Sequence, residues 1–176
     1  MDLSNYKIKY REQFQFFRVS EHYVSYLKNF DSNVCDNYHE RRTHIGIVIE
    51  INNKLYVAPL TSRGKEYLIK NKKYRRTVFL IEEGNLGFIR LGNMIPVPES
   101  ELSLIIISEL EDSRYKDLLL EQYIFLRKSK NRDKIREQAN KLYSKRYYND
   151  DFFLADIMCD FKKLETAYDN WKVNHT

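Results

Sequence analysis

The chain has little cysteine, little histidine and no long apolar run, and each shortage removes a class of function. Cys35 and Cys159 are isolated, which gives no disulfide framework and no zinc-ligand spacing; a reducing cytoplasm is the expected setting. The histidines His22, His39, His44 and His175 form no HxxxH or HxH pattern, so no metal site is expected. No P-loop, dinucleotide fingerprint or nucleophile elbow occurs, and no cofactor is expected. No apolar stretch approaches the roughly 18 residues that a membrane span requires. The N-terminus "MDLSNYKIKYREQ" lacks the apolar core of a signal peptide. Repeats and low-complexity linkers are missing too. With 176 residues, 43% of them hydrophobic and 31% charged, the expectation is one domain over residues 1–176 with a real core.

What the chain does have is basic and aromatic. The formal net charge is +5, with 14 Tyr and 10 Phe. Cations meet phosphate and rings stack on bases, so this composition suits single-stranded nucleic acid, although most of the rings are expected in the core. The charge is also unevenly spread. Residues 63–76, "RGKEYLIKNKKYRR", carry seven Lys or Arg against Glu66, and residues 127–146 carry nine against Asp133 and Glu137. Residues 99–121 run the other way, with seven carboxylates against Arg114 and Lys116. Two basic segments in one small chain create a field able to collect a polyanion.

The first half, residues 14–98, reads as strands. "FQFFRVS" (14–20) is a strand, and Ser20 is an N-cap for a helix through "EHYVSYLKNF". "HIGIVIEI" (44–51) and "KLYVAPL" (54–60) form a hairpin across Asn52-Asn53, with Pro59 closing the second strand. The basic segment 63–76 reads as a loop. "TVFLI" and "LGFIRL" form another hairpin around "EEGN", and the prolines of "NMIPVP" bar a central strand and end the strand series. Residues 99–176 read as helix-rich: a helix after Asp112, with Tyr115, Leu118, Leu119, Gln122, Tyr123 and Leu126 on one stripe, then "DKIREQANKLYSKR" and "DFKKLETAYDNW". "ELSLIIIS" (101–108) fits strand or helix. Strands followed by helices argue α+β: a small, strongly curved antiparallel sheet with helices packed on it.

One stretch, "YVAPLTSRGKE" (56–66), carries the chemical question. Thr61 and Ser62 place two hydroxyls at a strand end, at the mouth of the first basic segment. They could begin a turn, or they could hold a phosphate. RNA supplies its own nucleophile, the 2′-hydroxyl. A protein that cleaves it need only align that group, neutralise charge on the phosphoryl oxygens and assist proton transfer. Arginine suits the charge role through its planar, permanently protonated fork.

Three segments in order, "FFRVSEHYVSYLKNFDSNV", "RRTHIGIVIEINNKLYVAPLTS" and "LGFIRLGNMIPVP", resemble the ToxN/AbiQ family of type III toxin–antitoxin systems. The resemblance is strong through residues 16–98 and looser through the helices. It implies a compact, highly twisted antiparallel sheet or partial barrel, similar to MazF and Kid toxins, with surrounding helices and a helical C-terminal half. It implies a sequence-selective endoribonuclease that acts without metal and leaves 2′,3′-cyclic phosphate and 5′-hydroxyl ends. The partners it implies are a small repeat RNA antitoxin, which the enzyme also processes, and cellular or phage RNA substrates. It further implies a role in abortive infection and a cyclic protein–RNA assembly.

Residue by residue, Thr61 and Ser62 match the family's "PLTS" pair. Arg42 stands where relatives carry a catalytic Lys, with its role narrowed to phosphate stabilisation. Relatives often continue "PLTSPK"; here "PLTSRGK" leaves Arg63 or Lys65 to replace that lysine. Tyr23 and Tyr38 fall on tyrosines that line the family's RNA groove. The basic residues Arg63, Lys70, Lys72, Lys73, Arg75 and Arg76 are the expected RNA contacts, with segment 127–146 extending the track. The general acid and base stay unassigned, His39 being a proton-transfer candidate by its closeness to Arg42. A non-catalytic RNA-binding module, and a MazF-like ribonuclease toxin controlled by a protein antitoxin, remain alternatives.

Overall fold

The computed structural model describes residues 13–35, 45–62, 65–150 and 152–175. Strand β1 (Phe16–Val19) leads into helix α1 (Glu21–Lys28). The Ser20 hydroxyl caps that helix by accepting from the Tyr23 N–H at 3.3 Å, and it donates to the Glu101 carboxylate. β2 (Ile45–Ile51) and β3 (Lys54–Thr61) pair antiparallel from Gly46↔Pro59 to Ile51↔Lys54. Their connection places Asn52 and Asn53 at φ of 50° and 62°, the left-handed pair that a two-residue hairpin turn needs and that Asn tolerates.

Pro59 does not close its strand. The ladder continues to Thr61, because Pro59 needs no donor here: it sits opposite Gly46 and its carbonyl accepts from Arg90 N–H at 2.8 Å. The basic segment is not simply a loop either. It holds a short helix α2 (Lys65–Lys70) and a 3-10 turn (Tyr74–Thr77). β4 (Phe79–Leu80) and β5 (Phe88–Ile89) then form the expected second hairpin. β6 (Ile95–Pro96) follows, and the strand series runs on past the prolines to β7 (Leu102–Leu104), which pairs with β1 before a 3-10 turn at Ile107–Glu109.

The sheet is antiparallel, open and ordered β4-β5-β3-β2-β1-β7. β3 is its pivot. One edge pairs with β2, while the other is shared in tandem by β6 along Tyr56–Val57 and by β5 along Leu60–Thr61. The sheet therefore forks beside Thr61.

Three helices complete the chain: α3 (Ser113–Leu126), α4 (Ser129–Tyr148) and α5 (Phe161–Asn174). Asp112 and Asp160 cap α3 and α5 by accepting from Tyr115 N–H and Lys163 N–H. α4 buries Ile135, Ala139, Leu142 and Tyr143, and α5 buries Phe161, Leu164, Ala167 and Trp171 at helical spacing. The α5 stripe meets α1, where Trp171 lies 5.1 Å from the Tyr23 ring and 4.8 Å from the Tyr26 ring. The architecture is the expected α+β, with a sheet backed by helices and a helical C-terminal half. Among the described residues no helix is long and apolar enough to cross a membrane.

Candidate active site

Thr61 is the last residue of β3, paired with Phe88 on β5, and Ser62 follows it. Thr61 is half-buried and Ser62 exposed, so the fork of the sheet presents this pair at its rim. The β4–β5 connection holds the rim from one side. There Gly84 and Gly87 both have φ of +92°. A Cβ on Gly87 would collide with the Thr61 carbonyl oxygen and lie 3.1 Å from Ser62 Cα. A Cβ on Gly84 would lie 3.1 Å from Lys65 Cβ. Two glycines thus let this connection approach Thr61, Ser62 and Lys65 closely, at a φ that L side chains rarely adopt. Gln122, buried on α3, braces the same connection by donating to the Leu86 carbonyl at 2.7 Å.

The basic segment is anchored on the other side. Leu68, Val78 and Phe88 form a small second core, with Tyr67, Tyr74 and Leu80 packed against it. The Tyr67 ring stacks over Phe88 at 6.3 Å, and Tyr74 meets Phe88 edge-on at 6.2 Å. Since Phe88 is the cross-strand partner of Thr61, this cluster fixes the basic segment to the strand end that carries the hydroxyls.

The expected cations divide into three groups. Lys65, Lys70, Lys72 and Arg75 are exposed and make no ion pair with a described residue. Lys73 is clasped by both Asp156 oxygens at 2.6 and 2.7 Å, and that hydrogen-bonded ammonium holds the Asp156 carboxyl below its usual range. Arg76 lies 5.3 Å over the Phe153 ring. Residues 153–156 thus brace the basic segment from behind. Gln138, from the middle of α4, reaches the Val78 carbonyl at 3.1 Å and brings the second basic segment alongside the first.

Part of that second segment is structural. Arg146 is buried and pairs with Asp160 at 3.2 Å, and the Arg136 guanidinium covers the Phe14 ring at 5.2 Å. Its net charge therefore overstates the field it presents.

Tyr23 is a correction. It does not line a groove: its ring is fully buried and its hydroxyl donates to the Pro96 carbonyl at 2.7 Å. The helical spacing that puts Tyr23 beside Val24 and Leu27 aims it at the core. Tyr38, His39, Arg42, His44 and Arg63 lie outside the described residues. Among the described residues, no three His, Cys, Asp or Glu side chains are grouped so that they could hold a metal ion.

Sequence reasoning passed over Arg90, a half-buried cation just beyond β5 whose Nε donates to the Tyr74 hydroxyl; "LGFIRL" reads there only as a hairpin strand, and the positive charge among its apolar residues was the available signal.

The sequence profile of a family described as "Toxin ToxN, type III toxin-antitoxin system" matches residues 15–169. The chain is 34% identical over 167 residues to "Endoribonuclease ToxN" of Bacillus thuringiensis subsp. kurstaki, covering 90% of this chain and 84% of that protein. A solved structure concerning selective toxin inhibition by a non-coding RNA pseudoknot superposes with a TM-score of 0.77 at 31% identity, over 91% of this chain and 98% of the other. The solved structure of AbiQ, described as a lactococcal anti-phage endoribonuclease of a type III system, gives a TM-score of 0.78 at 26% identity, over 91% and 98%.

Proposed function

The chain belongs to the ToxN family of type III toxin–antitoxin systems, and from that premise we propose that it is an endoribonuclease toxin held in check by a small RNA. The observation that carries the reading is the hydroxyl pair Thr61–Ser62 at the end of β3, next to an anchored basic segment whose Lys65, Lys70, Lys72 and Arg75 pair with no described carboxylate. Rigid donors on a sheet end are preorganised for the charge that develops in phosphoryl chemistry.

In this mechanism the substrate 2′-hydroxyl attacks the adjacent phosphorus. The P–O5′ bond breaks and leaves a 2′,3′-cyclic phosphate and a 5′-hydroxyl. One proton leaves the attacking oxygen and one reaches the departing oxygen. Thr61 and Ser62 donate hydrogen bonds to the non-bridging oxygens. Lys65, with Arg42 and Arg63, neutralises the charge growing there. The chemistry needs no metal. The antitoxin RNA follows the basic residues Lys70, Lys72, Lys73, Arg75 and Arg76 and continues along α4, covering the hydroxyl pair. An RNA that meets two faces of the protein can link copies into a closed ring. Family likeness to AbiQ supports an anti-phage role.

The test is cleavage of a long RNA in EDTA by wild type and Ser62→Ala, with end-group analysis. Cyclic phosphate and 5′-hydroxyl ends from wild type only are expected, with RNA binding retained by both. Equal cleavage by the variant sinks the assignment of Ser62. Tight binding with no cleavage by either protein makes the chain an RNA-binding module.

A further inference from the structure

We propose that Arg90 is an additional phosphate-binding residue of the candidate active site, presented by Tyr74 as a positioning residue. This rests on the reading of Thr61 and Ser62 given above. Arg90 N–H donates to the Pro59 carbonyl at 2.8 Å, which carries the β3–β5 ladder one step beyond the Leu60↔Ile89 and Thr61↔Phe88 pairs. Arg90 directly follows β5, and its contacts with Tyr74, whose ring packs 6.2 Å from Phe88, set it on the Phe88 side of the ladder; Phe88 stands directly opposite Thr61. Arg90 is therefore the diagonal neighbour of Thr61, a spacing that long side chains bridge.

The guanidinium is held in one orientation. Its Nε donates to the Tyr74 hydroxyl, and its carbon lies 5.3 Å over the Tyr74 ring. Tyr74 is fixed in turn. Its hydroxyl donates to Asn93 Oδ1 at 3.3 Å, and its ring packs 6.2 Å from Phe88 and 5.9 Å from Tyr67. The amide of the buried Asn93 donates to the carbonyls of Asn33 at 3.1 Å and Ile157 at 3.2 Å. Rotation of any one member would break bonds made by the next.

What this network omits is an anion. Among the described residues no carboxylate pairs with Arg90, and its two Nη nitrogens make no hydrogen bond. The contrast with Arg146 is direct: that buried guanidinium is matched by Asp160 and Asp150. A half-buried guanidinium whose described partners include no carboxylate, with the buried Cys35 thiol among its electrostatic neighbours, is costly unless an anion completes it. With Nε committed to Tyr74, the remaining Nη edge is the fork that takes a phosphodiester through two parallel hydrogen bonds. The Tyr74 ring beneath it and the Nε bond to the Tyr74 hydroxyl make Arg90 a preorganised ligand, unlike the exposed lysines of the basic segment.

The test uses the full chain with Arg90→Gln, Arg90→Lys and Tyr74→Phe, and Arg114→Gln on exposed α3 as a charge-matched control. Thermal unfolding of each accompanies the assays. Arg90→Gln should lower kcat by roughly 10²-fold, as loss of one preorganised donor does. Arg90→Lys should recover only part, since it keeps the charge and loses the fork. Tyr74→Phe should fall between wild type and Arg90→Gln. A phosphorothioate at one non-bridging oxygen of the scissile linkage should slow wild type and leave Arg90→Gln little changed, because that contact is already gone. Binding of a non-cleavable 2′-deoxy-substituted RNA should show a salt slope reduced by about 0.7 in Arg90→Gln and unchanged in Arg114→Gln.

Wild-type cleavage with normal kcat and normal salt slope in Arg90→Gln overturns the proposal. So does a loss that tracks melting alone with thio sensitivity intact. If wild type cleaves nothing, the ribonuclease reading fails, and the salt slope still decides whether Arg90 meets phosphate.

Discussion

The two ends of β3 are about 23 Å apart, from the usual strand rise, and they treat charge in opposite ways. At the Lys54 end the charged groups of the strand and its helices meet partners. Lys54 pairs with Asp169 at 3.8 Å, and Glu165 Oε1 accepts from Tyr56 at 2.5 Å and from Tyr143 at 2.7 Å. Burial first, then the Glu165 carboxylate, pushes the Tyr56 hydroxyl well above its ordinary pKa, so it stays a neutral donor. At the Thr61 end, the cations Lys65, Lys70, Lys72, Arg75 and Arg90 have no described carboxylate, and Lys73 alone in this group is clasped. One end spends its polar groups on joining α4 and α5 to the sheet. The other leaves most of its cations without a described carboxylate.

The strongest way to break this contrast is to empty the Thr61 end of charge. Changing Lys72, Lys73, Arg75 and Arg76 together to Gln should weaken RNA binding by about 10²-fold at moderate salt and cut the salt slope by about 2, with Lys73 contributing least because Asp156 already pairs it. An unchanged slope would place the RNA elsewhere. Gly87→Ala probes the support rather than the charge. The added Cβ meets the Thr61 carbonyl at an unfavourable φ, so stability should fall by about 1–3 kcal/mol, and cleavage per folded molecule should drop as well. Normal cleavage by the folded variant would show that the connection does not set the hydroxyl positions.

At the satisfied end the effects should be confined to stability. Tyr56→Phe removes one of the two hydroxyls on Glu165 and should cost about 1–3 kcal/mol in chemical denaturation, with cleavage by the folded fraction unchanged. A specific loss of cleavage would mean that the two ends are coupled. The smallest effect is expected for Lys54→Ala. Its Asp169 partner is largely solvent-exposed, so the change in stability should stay within about 0.5 kcal/mol.

Much of this organisation was legible in the chain. Ser20 and Asp112 announced helix starts because their hydroxyl and carboxylate satisfy the first free N–H groups. Asn52-Asn53 announced the hairpin because few residues accept φ near +50°. The "PLTS" hydroxyls and the charge of 63–76 were visible as well. Pro59 misled because proline's missing donor matters only where the ladder needs one, and opposite Gly46 it does not. The helix in 65–70 was hidden by its charge: only Leu68 of that segment is buried, so no apolar stripe revealed it. Tyr23 was assigned by its place in a motif, whereas its helical spacing with Leu27 already pointed inward.

By itself the sequence determined the local and one-dimensional properties: caps, turns, amphipathic stripes, two basic segments and the run of strands before helices. These depend on near neighbours, whose geometry is the same in any fold. Only the tertiary structure decided which charges are paired. Arg146 and Arg90 look alike in the chain, yet one is closed by Asp160 and Asp150 and the other by a tyrosine ring and hydroxyl. Only folding sets Phe88 opposite Thr61 and wraps Gly87 round the strand end, because those contacts join residues more than 20 positions apart. Pairing across such distances is fixed by register and packing, which no single segment encodes.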